Sequence, residues 1–186
     1  VDFDLVFATV VKLSSIRILL ALAARYGWRL WQLDVKQAFL QADLHESLYM
    51  RMPPHLPDRG ADGQQLVCKL KKSLYGLKQA ARHWSELLAA KLEAFGFRRG
   101  IIDTCVYRYD GPDGHAMICL VYVDDLVLAY SHEAARQKFF FTTMVASEVF
   151  LNSTIYGGCL RVSMVLGQQF YKQTTSFALI IDIKPD

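Results

Sequence analysis

Residues 117–130 read MICLVYVDDLVLAY, an apolar run that is interrupted only by two adjacent carboxylates, Asp124 and Asp125. Two apolar strands joined at an acidic turn explain this pattern and predict a β-hairpin with the acids at its tip. A turn is needed because adjacent side chains on a regular strand point to opposite faces. Buried carboxylates without a partner are costly, and the run contains no Lys or Arg. A divalent cation is therefore the natural candidate to meet them.

A second acidic position lies in residues 28–35, WRLWQLDV, an aromatic, strand-like segment that contains Asp34. If this strand and the hairpin are neighbours in one sheet, three carboxylates converge on one surface. Two Mg²⁺ ions about 3.5–4 Å apart, held by such carboxylates, align an attacking hydroxyl and stabilise a leaving pyrophosphate. Mg²⁺ prefers oxygen ligands and binds substrate phosphates alongside one or two carboxylates. On the Asp-Asp pair alone an ordinary hairpin turn is favoured, because acidic residues are common in turns.

The composition excludes several classes of protein. A chain of 186 residues is long enough for one domain with a core, and a hydrophobic fraction of 53% excludes disorder. The net charge of +3 permits a polyanionic partner without requiring one. The four Cys and five His show no CxxC or HExxH spacing, so reduced core thiols are expected rather than a zinc site. The apolar segment 16–24 is too short to span a membrane.

The order of elements predicts an α+β fold with a mostly antiparallel sheet. We expect a first helix with Ser14 and Ser15 at its N-terminus and Gly27 as its C-cap, and an amphipathic helix from Leu77 to the C-cap Gly96. A last helix is expected over residues 133–145, capped by Ser131. Strands are predicted at residues 28–35, 48–51, 66–71, 105–109, 116–123 and 126–130.

Three motifs together resemble a known family. Residues 32–40 (QLDVKQAFL), 70–79 (LKKSLYGLKQ) and 122–125 (YVDD) closely resemble copia-type long-terminal-repeat retrotransposon reverse transcriptases. Residues 7–17 look like the same family, with Thr9 where Pro is usual, and the resemblance runs from Val1 to about Tyr130. It implies a polymerase palm-like antiparallel sheet with helices packed on one face and partial fingers. The implied activity is that of an RNA-directed DNA polymerase.

The resemblance also implies roles for individual residues. Asp34, Asp124 and Asp125 would be the catalytic and metal-binding carboxylates, and Phe39 would exclude a 2′-hydroxyl from the sugar site. The residues implied to bind the nucleotide are Lys12, Arg17, Val35 through its carbonyl, Phe39, Tyr75 and Gly76. A basic cluster suited to a phosphate backbone comprises Lys71, Lys72, Lys78 and Arg82, together with Lys69. Without the motifs, Phe39 would be read as a core aromatic, and the basic cluster fits a solvated face equally well.

The resemblance further implies two bound Mg²⁺ ions, with Mn²⁺ as an alternative. The implied partners are an RNA or DNA template, a DNA primer, deoxynucleoside triphosphates and other polyprotein segments such as integrase and RNase H, without a membrane. Residues 1–146 are expected to form the palm and partial fingers, and residues 147–186 a diverged or degraded tail, in which Leu166 and Gly167 only faintly match a family motif. The chain reads as an excised piece of an intracellular protein, from a cytoplasmic virus-like particle or the nucleus.

Three other functions remain open at this point. A degenerate remnant would keep the fold without polymerase activity. A binding module for RNA–DNA duplex would keep the basic cluster and would need none of the three Asp residues. A nucleotide cyclase with a palm fold would use paired acids, but it should not combine Phe39 with Tyr75 and Gly76.

Overall fold

The computed structural model describes residues 10–145, 151–156 and 181–185. They form an α+β fold in which every pair of strands is antiparallel, which confirms the predicted fold class. The helices are α1 (Leu13–Tyr26), α2 (Ala38–Gln41), α3 (Ala80–Phe95) and α4 (Glu133–Phe139), which continues as a π-helix over Phe140–Val145. The strands are β1 (Arg29–Val35), β2 (Tyr49–Arg51), β3 (Leu66–Leu70), β4 (Arg98–Arg99), β5 (Val106–Asp110), β6 (Ala116–Tyr122), β7 (Asp125–Tyr130), β8 (Leu151–Tyr156) and β9 (Ile181–Pro185).

The larger sheet has the strand order β4-β5-β6-β7-β1-β8. The hairpin β6–β7 lies in its middle, and β1 pairs directly with β7. A smaller sheet consists of β2, β3 and β9. The strand that carries Asp34 is therefore the neighbour of the acidic hairpin, which is the arrangement that a shared site requires.

One face of the larger sheet packs against α3 and α4. Trp31 and Leu33 of β1 belong to a buried cluster that includes Trp84 and Leu92 of α3 and Phe139 of α4. Alternate residues of β6 and β7 join the same cluster, as the two-residue period of a strand dictates. This cluster contains the largest buried side chains and forms the main core.

The opposite face is covered by α1. Leu19 and Ala23 of α1 pack with Leu30, Leu120 and Ala129 of the sheet. The helices therefore cover both faces of the larger sheet, whereas the sequence predicted helices on one face only. The reason lies in the strands, because β6 and β7 carry apolar residues on both faces and a sheet of that kind needs cover on both sides. None of the described helices is long and apolar enough to cross a membrane.

The start of α1 is capped by Asp103, a residue far away in the sequence. The helix begins at Leu13 with Lys12 at the N-cap position, and no side chain of its own caps it. Instead, the Oδ2 atom of Asp103 accepts hydrogen bonds from the Lys12 backbone N–H, at 3.0 Å, and from the Ser15 hydroxyl. The predicted cap by Ser14 and Ser15 is wrong, because the Ser15 hydroxyl donates to a carboxylate between β4 and β5.

The predicted cap of the last helix is also wrong. Its N-cap residue is His132, which makes no side-chain capping bond, and the Ser131 hydroxyl accepts a hydrogen bond from the Ala116 backbone N–H at 2.9 Å. The Gly27 and Gly96 C-caps are confirmed, since both glycines adopt the left-handed conformation. The helix predicted from Leu77 begins at Ala80, three residues later.

Parts of the sequence-based interpretation fall outside the described residues, namely Thr9, Leu166 and Gly167. Within residues 147–186, β8 pairs with β1 and β9 pairs with β3 through their backbones. The division into a palm at residues 1–146 and a diverged tail at residues 147–186 stays a prediction.

We expect Asp103→Asn to lower the free energy of unfolding by about 1–3 kcal/mol at neutral pH, since a buried hydrogen-bonded charge is lost. Burial raises the pKa of Asp103, but hydrogen bonds from Ser15 and from the Lys12 and Cys105 backbones outweigh it and lower the pKa overall. A lowered pKa stabilises the fold above the ordinary Asp value, and this stabilisation disappears as pH falls through the folded value. The unfolding free energies of the two proteins, measured in urea, should therefore converge as pH falls below the ordinary Asp pKa.

Asp113→Asn is the matched control, because Asp113 is exposed in the turn between β5 and β6. It should leave the unfolding free energy within about 0.5 kcal/mol of the parent protein. An Asp103→Asn deficit that stays constant from neutral to acid pH would mean that the charge of Asp103 does not hold α1.

Candidate active site

The hairpin between β6 and β7 has a two-residue loop made of Val123 and Asp124. Tyr122 and Asp125 are cross-strand partners on either side of it. Val123 has a φ of 56°, whereas Asp124 is not among the residues with positive φ. A positive φ at the first loop position alone is the pattern of a type II′ turn, where Gly is the usual residue. A β-branched residue held in this conformation stores strain of about 1–3 kcal/mol.

Strand pairing brings Asp34 to this turn. Asp34 is the cross-strand partner of Asp125, and the Val35 backbone N–H donates to the Asp124 carbonyl at 2.9 Å. Directly opposed residues of antiparallel strands have Cα atoms about 4.5–5.5 Å apart, with their side chains on one face. The structure thus gathers Asp34, Asp124 and Asp125 at one end of the sheet. Asp34 and Asp125 share the sheet face that α1 covers further along, as the alternation with Leu30 indicates.

The pKa of Asp125 is raised above its ordinary value. Burial, followed by the charges of Asp124 and Asp34, raises the pKa of Asp125, while a hydrogen bond with the Gln32 side chain acts in the opposite direction. Tyr75 senses the same charges, because its pKa is raised first by burial and then by Asp124 and Asp34. The acids therefore form a concentration of negative charge that a cation would relieve.

The fit of a metal ion depends on how many ligands the chain must supply. Among the described residues, no three His, Cys, Asp or Glu side chains already stand in a metal-binding arrangement. Mg²⁺ does not need such a cage, since it is usually held by one or two carboxylates together with waters and substrate phosphates. An opposed pair, Asp34 and Asp125, with Asp124 in the adjoining turn, supplies the oxygen donors that Mg²⁺ prefers. The residues present therefore fit this ion.

Two aromatic rings lie beside the acids. Phe39, on the short helix α2 that follows β1, has its ring centroid 4.8 Å from that of Tyr75, with a tilt of 52° between the planes. Phe39 is half-buried against the main core, whereas Tyr75 is 52% exposed. Gly76 follows with a φ of 96°, a conformation that L side chains rarely adopt. The predicted pair Tyr75 and Gly76 thus precedes α3 and lies next to Phe39.

The basic residues predicted to bind nucleic acid lie in the segment between β3 and α3 and in the first turn of α3. Lys72 forms an ion pair with Asp43 at 2.8 Å, and Arg82 pairs with Glu86 at 2.7 Å within α3. Lys71 and Lys78 are exposed and have interactions of their own. Exposed ion pairs of this kind are weak, about 0–1 kcal/mol, so they leave these side chains able to exchange partners.

The two basic residues predicted near the triphosphate lie at the start of α1. The Lys12 ammonium donates to the Ile102 carbonyl at 3.0 Å, so it is tied to the loop before β5. Arg17 is exposed on α1. The structure does not bring either side chain into contact with the three acids.

The sequence interpretation missed two residues of this site. Gln32 hydrogen-bonds Asp125 across the sheet, and its position two residues before Asp34 on one strand face was an available signal. Trp84 of α3 donates its indole N–H to the Val123 carbonyl at 2.7 Å. Its place in an apolar helical stripe indicated a core residue and gave no sign of this bond.

Backbone strain also concentrates here. The residues other than Gly that have positive φ in the described part of the chain are Gln37, His55 and Val123. Val123 precedes Asp124, and Gln37 lies three residues after Asp34, while His55 belongs to the loop between β2 and β3. Strained backbone persists where the surrounding structure over-determines it, and it clusters at functional sites.

Comparison with known proteins identifies similar sequences. Residues 1–180 match the family described as reverse transcriptase (RNA-dependent DNA polymerase), a longer stretch than the one that ends near Tyr130. The chain is 42% identical over 128 residues to the retrovirus-related Pol polyprotein from transposon TNT 1-94 of Nicotiana tabacum, covering 69% of this chain and 10% of that protein.

Two further relatives give the same result. The retrovirus-related Pol polyprotein from transposon RE2 of Arabidopsis thaliana is 41% identical over 128 residues, which is 68% of this chain and 8% of that protein. The truncated transposon Ty1-A Gag-Pol polyprotein of Saccharomyces cerevisiae is 36% identical over 126 residues, which is 67% of this chain and 10% of that protein. The chain thus spans a tenth or less of the length of these relatives.

We expect Asp125→Asn to stabilise the metal-free protein near neutral pH. A carboxyl whose pKa is raised on folding binds more protons in the folded state, so its contribution lowers the unfolding free energy as pH rises just above the ordinary Asp value. The uncharged amide introduced by Asp125→Asn does not titrate, so in this variant the decrease in the unfolding free energy is absent. Solvent screening limits the gain in melting temperature to about 2 °C, since 1 kcal/mol corresponds to roughly 2–4 °C in a domain of this size.

Thermal unfolding in the presence of EDTA, between about pH 4 and pH 7, measures this difference. The advantage of Asp125→Asn should grow as pH rises through the lower part of this range. A variant that is less stable than the parent protein at neutral pH would show that the ionised Asp125 carboxylate does not destabilise the fold.

Proposed function

Because the chain belongs to the reverse transcriptase (RNA-dependent DNA polymerase) family, we propose that it forms the palm and part of the fingers of a copia-type retrotransposon polymerase. The reaction is the templated addition of a deoxynucleotide to a primer 3′-hydroxyl, with release of pyrophosphate. One observation carries the proposal: Asp34 pairs with Asp125 across β1 and β7, while Asp124 occupies the adjoining strained turn. A palm without this chemistry would have no need to hold Asp34 and Asp124 so near to Asp125 that their charges raise its pKa.

The three carboxylates serve to hold Mg²⁺. Two Mg²⁺ ions, with Mn²⁺ as the alternative, would supply the alignment of the attacking hydroxyl and the neutralisation of charge on the transferring phosphate. The task of Asp34, Asp124 and Asp125 is to present oxygen donors at a fixed spacing. The Val35 N–H, bonded to the Asp124 carbonyl, keeps β1 and the turn in register for that task.

The aromatic pair would form one wall of the nucleotide site. Phe39 lies against Tyr75, whose own surroundings include the charges of Asp124 and Asp34. A ring at Phe39 next to the acids would leave no room for a 2′-hydroxyl on the sugar. Gly76, which has no side chain beyond its backbone, would let the incoming base pair approach closely. The carbonyl of Val35 remains a proposed additional ligand.

The triphosphate and the duplex would meet basic side chains. Lys12 must leave the Ile102 carbonyl to reach a triphosphate, whereas Arg17 is exposed on α1. Lys71, Lys72, Lys78 and Arg82 would contact the backbone of an RNA or DNA template and its DNA primer. The relatives are polyproteins, and we propose that other segments of a parent polyprotein, including integrase and RNase H, act with this chain inside the cell.

We expect Asp124→Asn to reduce primer extension by at least 100-fold in the presence of Mg²⁺, because preorganised charge at a reacting centre contributes on the order of 10²–10³ in rate. The measurement is incorporation of a labelled deoxynucleotide on an RNA template with a DNA primer. Asp113→Asn removes a carboxylate from the turn at the opposite end of β6 and should leave incorporation unchanged.

The other outcomes separate the alternatives. Incorporation that Asp124→Asn does not affect would refute the assignment of the acids. If neither protein incorporates but both bind duplex with a steep dependence on salt, the chain is a binding module or an inactive remnant.

We expect Phe39→Val to weaken discrimination against ribonucleotides by about tenfold or more, because it removes the ring that would collide with a 2′-hydroxyl. The readout is the ratio of kcat/KM for a deoxynucleotide to that for the matching ribonucleotide. Phe141→Val is the control, since Phe141 is 63% exposed and lies beyond α4. An unchanged ratio in Phe39→Val would assign Phe39 to the core alone.

A further inference from the structure

Trp84 stands directly behind the acidic turn. It is 1% exposed and belongs to the main core, between α3 and the sheet. Its indole nitrogen donates to the Val123 carbonyl at 2.7 Å, over a separation of 39 residues in the chain. A bond from the second turn of a long helix to a hairpin loop ties the rigid core to the one residue of the loop that has positive φ.

The turn needs such a tie because Val123 is poorly suited to its conformation. A type II′ loop accommodates Gly at this position at little cost, whereas a β-branched side chain at φ 56° is a genuine outlier. Without a restraint, the loop would relax toward another conformation. The carboxylates of Asp124 and Asp125 directly follow Val123, so relaxation would change their placement opposite Asp34.

Other bonds fix the neighbouring residues without fixing Val123 itself. The Val35 N–H bonds the Asp124 carbonyl at 2.9 Å, and the Val121 N–H bonds the Cys105 carbonyl at 2.9 Å. Tyr122 is in an isolated bridge with Val10. These contacts hold the chain before and after the strained peptide, and the indole N–H holds the peptide oxygen of Val123.

We propose that Trp84 is a positioning residue whose indole N–H clamps the Val123 carbonyl and so fixes the strained turn that presents Asp124 and Asp125 to Asp34. The effect on catalysis rests on the proposed function, whereas the effect on the turn does not. Trp84 touches no reacting atom and acts only through the loop.

Trp84→Phe tests the clamp, because phenylalanine keeps an aromatic ring in the core and removes the donor. The first readout is amide hydrogen exchange at Val35, whose N–H bonds the Asp124 carbonyl. We expect exchange to accelerate on the order of tenfold, the size that the loss of one hydrogen bond predicts. Leu88→Ala is the matched control, since Leu88 is buried one turn further along α3. It should lower the melting temperature without a selective effect at Val35.

Val123→Gly provides a rescue. Glycine removes the conformational cost while keeping the carbonyl, so the double variant Trp84→Phe/Val123→Gly should recover most of the protection at Val35. In the primer-extension assay, Trp84→Phe should lower kcat roughly 10–100-fold and leave the KM for deoxynucleotide within about threefold, as expected for misplacement of catalytic groups. The double variant should again recover activity.

The unsubstituted protein offers a test that does not depend on the folding of a variant. Trp31 is also buried, but its indole nitrogen has no hydrogen-bond partner among the described residues. The indole N–H proton of Trp84 should therefore resonate downfield of that of Trp31. Equal shifts, or equal acceleration at Val35 in Trp84→Phe and Leu88→Ala, would overturn the proposal. A chain that shows the exchange effect but no incorporation would retain the clamp and refute only the proposed function.

Discussion

The pairing of β1 with β7 is the constraint on which the site depends. Its register makes Asp34 the partner of Asp125, and its last hydrogen bond joins the Val35 N–H to the Asp124 carbonyl. A shift of one residue would send every side chain of β1 to the other face of the sheet. Such a shift would remove Trp31 and Leu33 from the main core, where they are at most 1% exposed, and would turn Asp34 into that core in their place. The apolar core therefore specifies the position of the acid.

The same core also contacts the hairpin loop between β6 and β7. Trp84 belongs to the buried cluster that contains Trp31 and Leu33, and it also bonds the Val123 carbonyl. The strain at Val123 is sustained because helix α3 cannot move without disrupting this packing. Packing of α3 on the sheet and geometry of the turn are thus coupled through a single side chain. A residue of the core takes part in shaping the site although it never meets a substrate.

The sequence predicted those features that local patterns determine. The apolar run around Asp124 and Asp125 indicated a hairpin, and Gly27 and Gly96 marked helix ends, because each of these depends on a few neighbouring residues. Asp103 was missed as the cap of α1 because it lies 91 residues from Lys12, and no local rule connects them. The bond from Trp84 to the hairpin could not be predicted, since the partner of its N–H depends on which loop lies behind α3. The position of α1 on the second face likewise depends on the completed sheet.

The carboxylate charges at the site reduce the stability of the fold that brings them together. Burial, followed by the charges of Asp124 and Asp34, raises the pKa of both Asp125 and Tyr75, so the folded protein favours the protonated forms of these two side chains. A ligand that binds only the folded, ionised site recovers this energy and stabilises the protein by RT ln(1 + [L]/Kd). The acids cannot move apart, because β1 is paired with β7 and the indole N–H of Trp84 holds the Val123 carbonyl. The core thus keeps three carboxylates close together, and under the proposed function their repulsion would be part of the driving force for binding a cation.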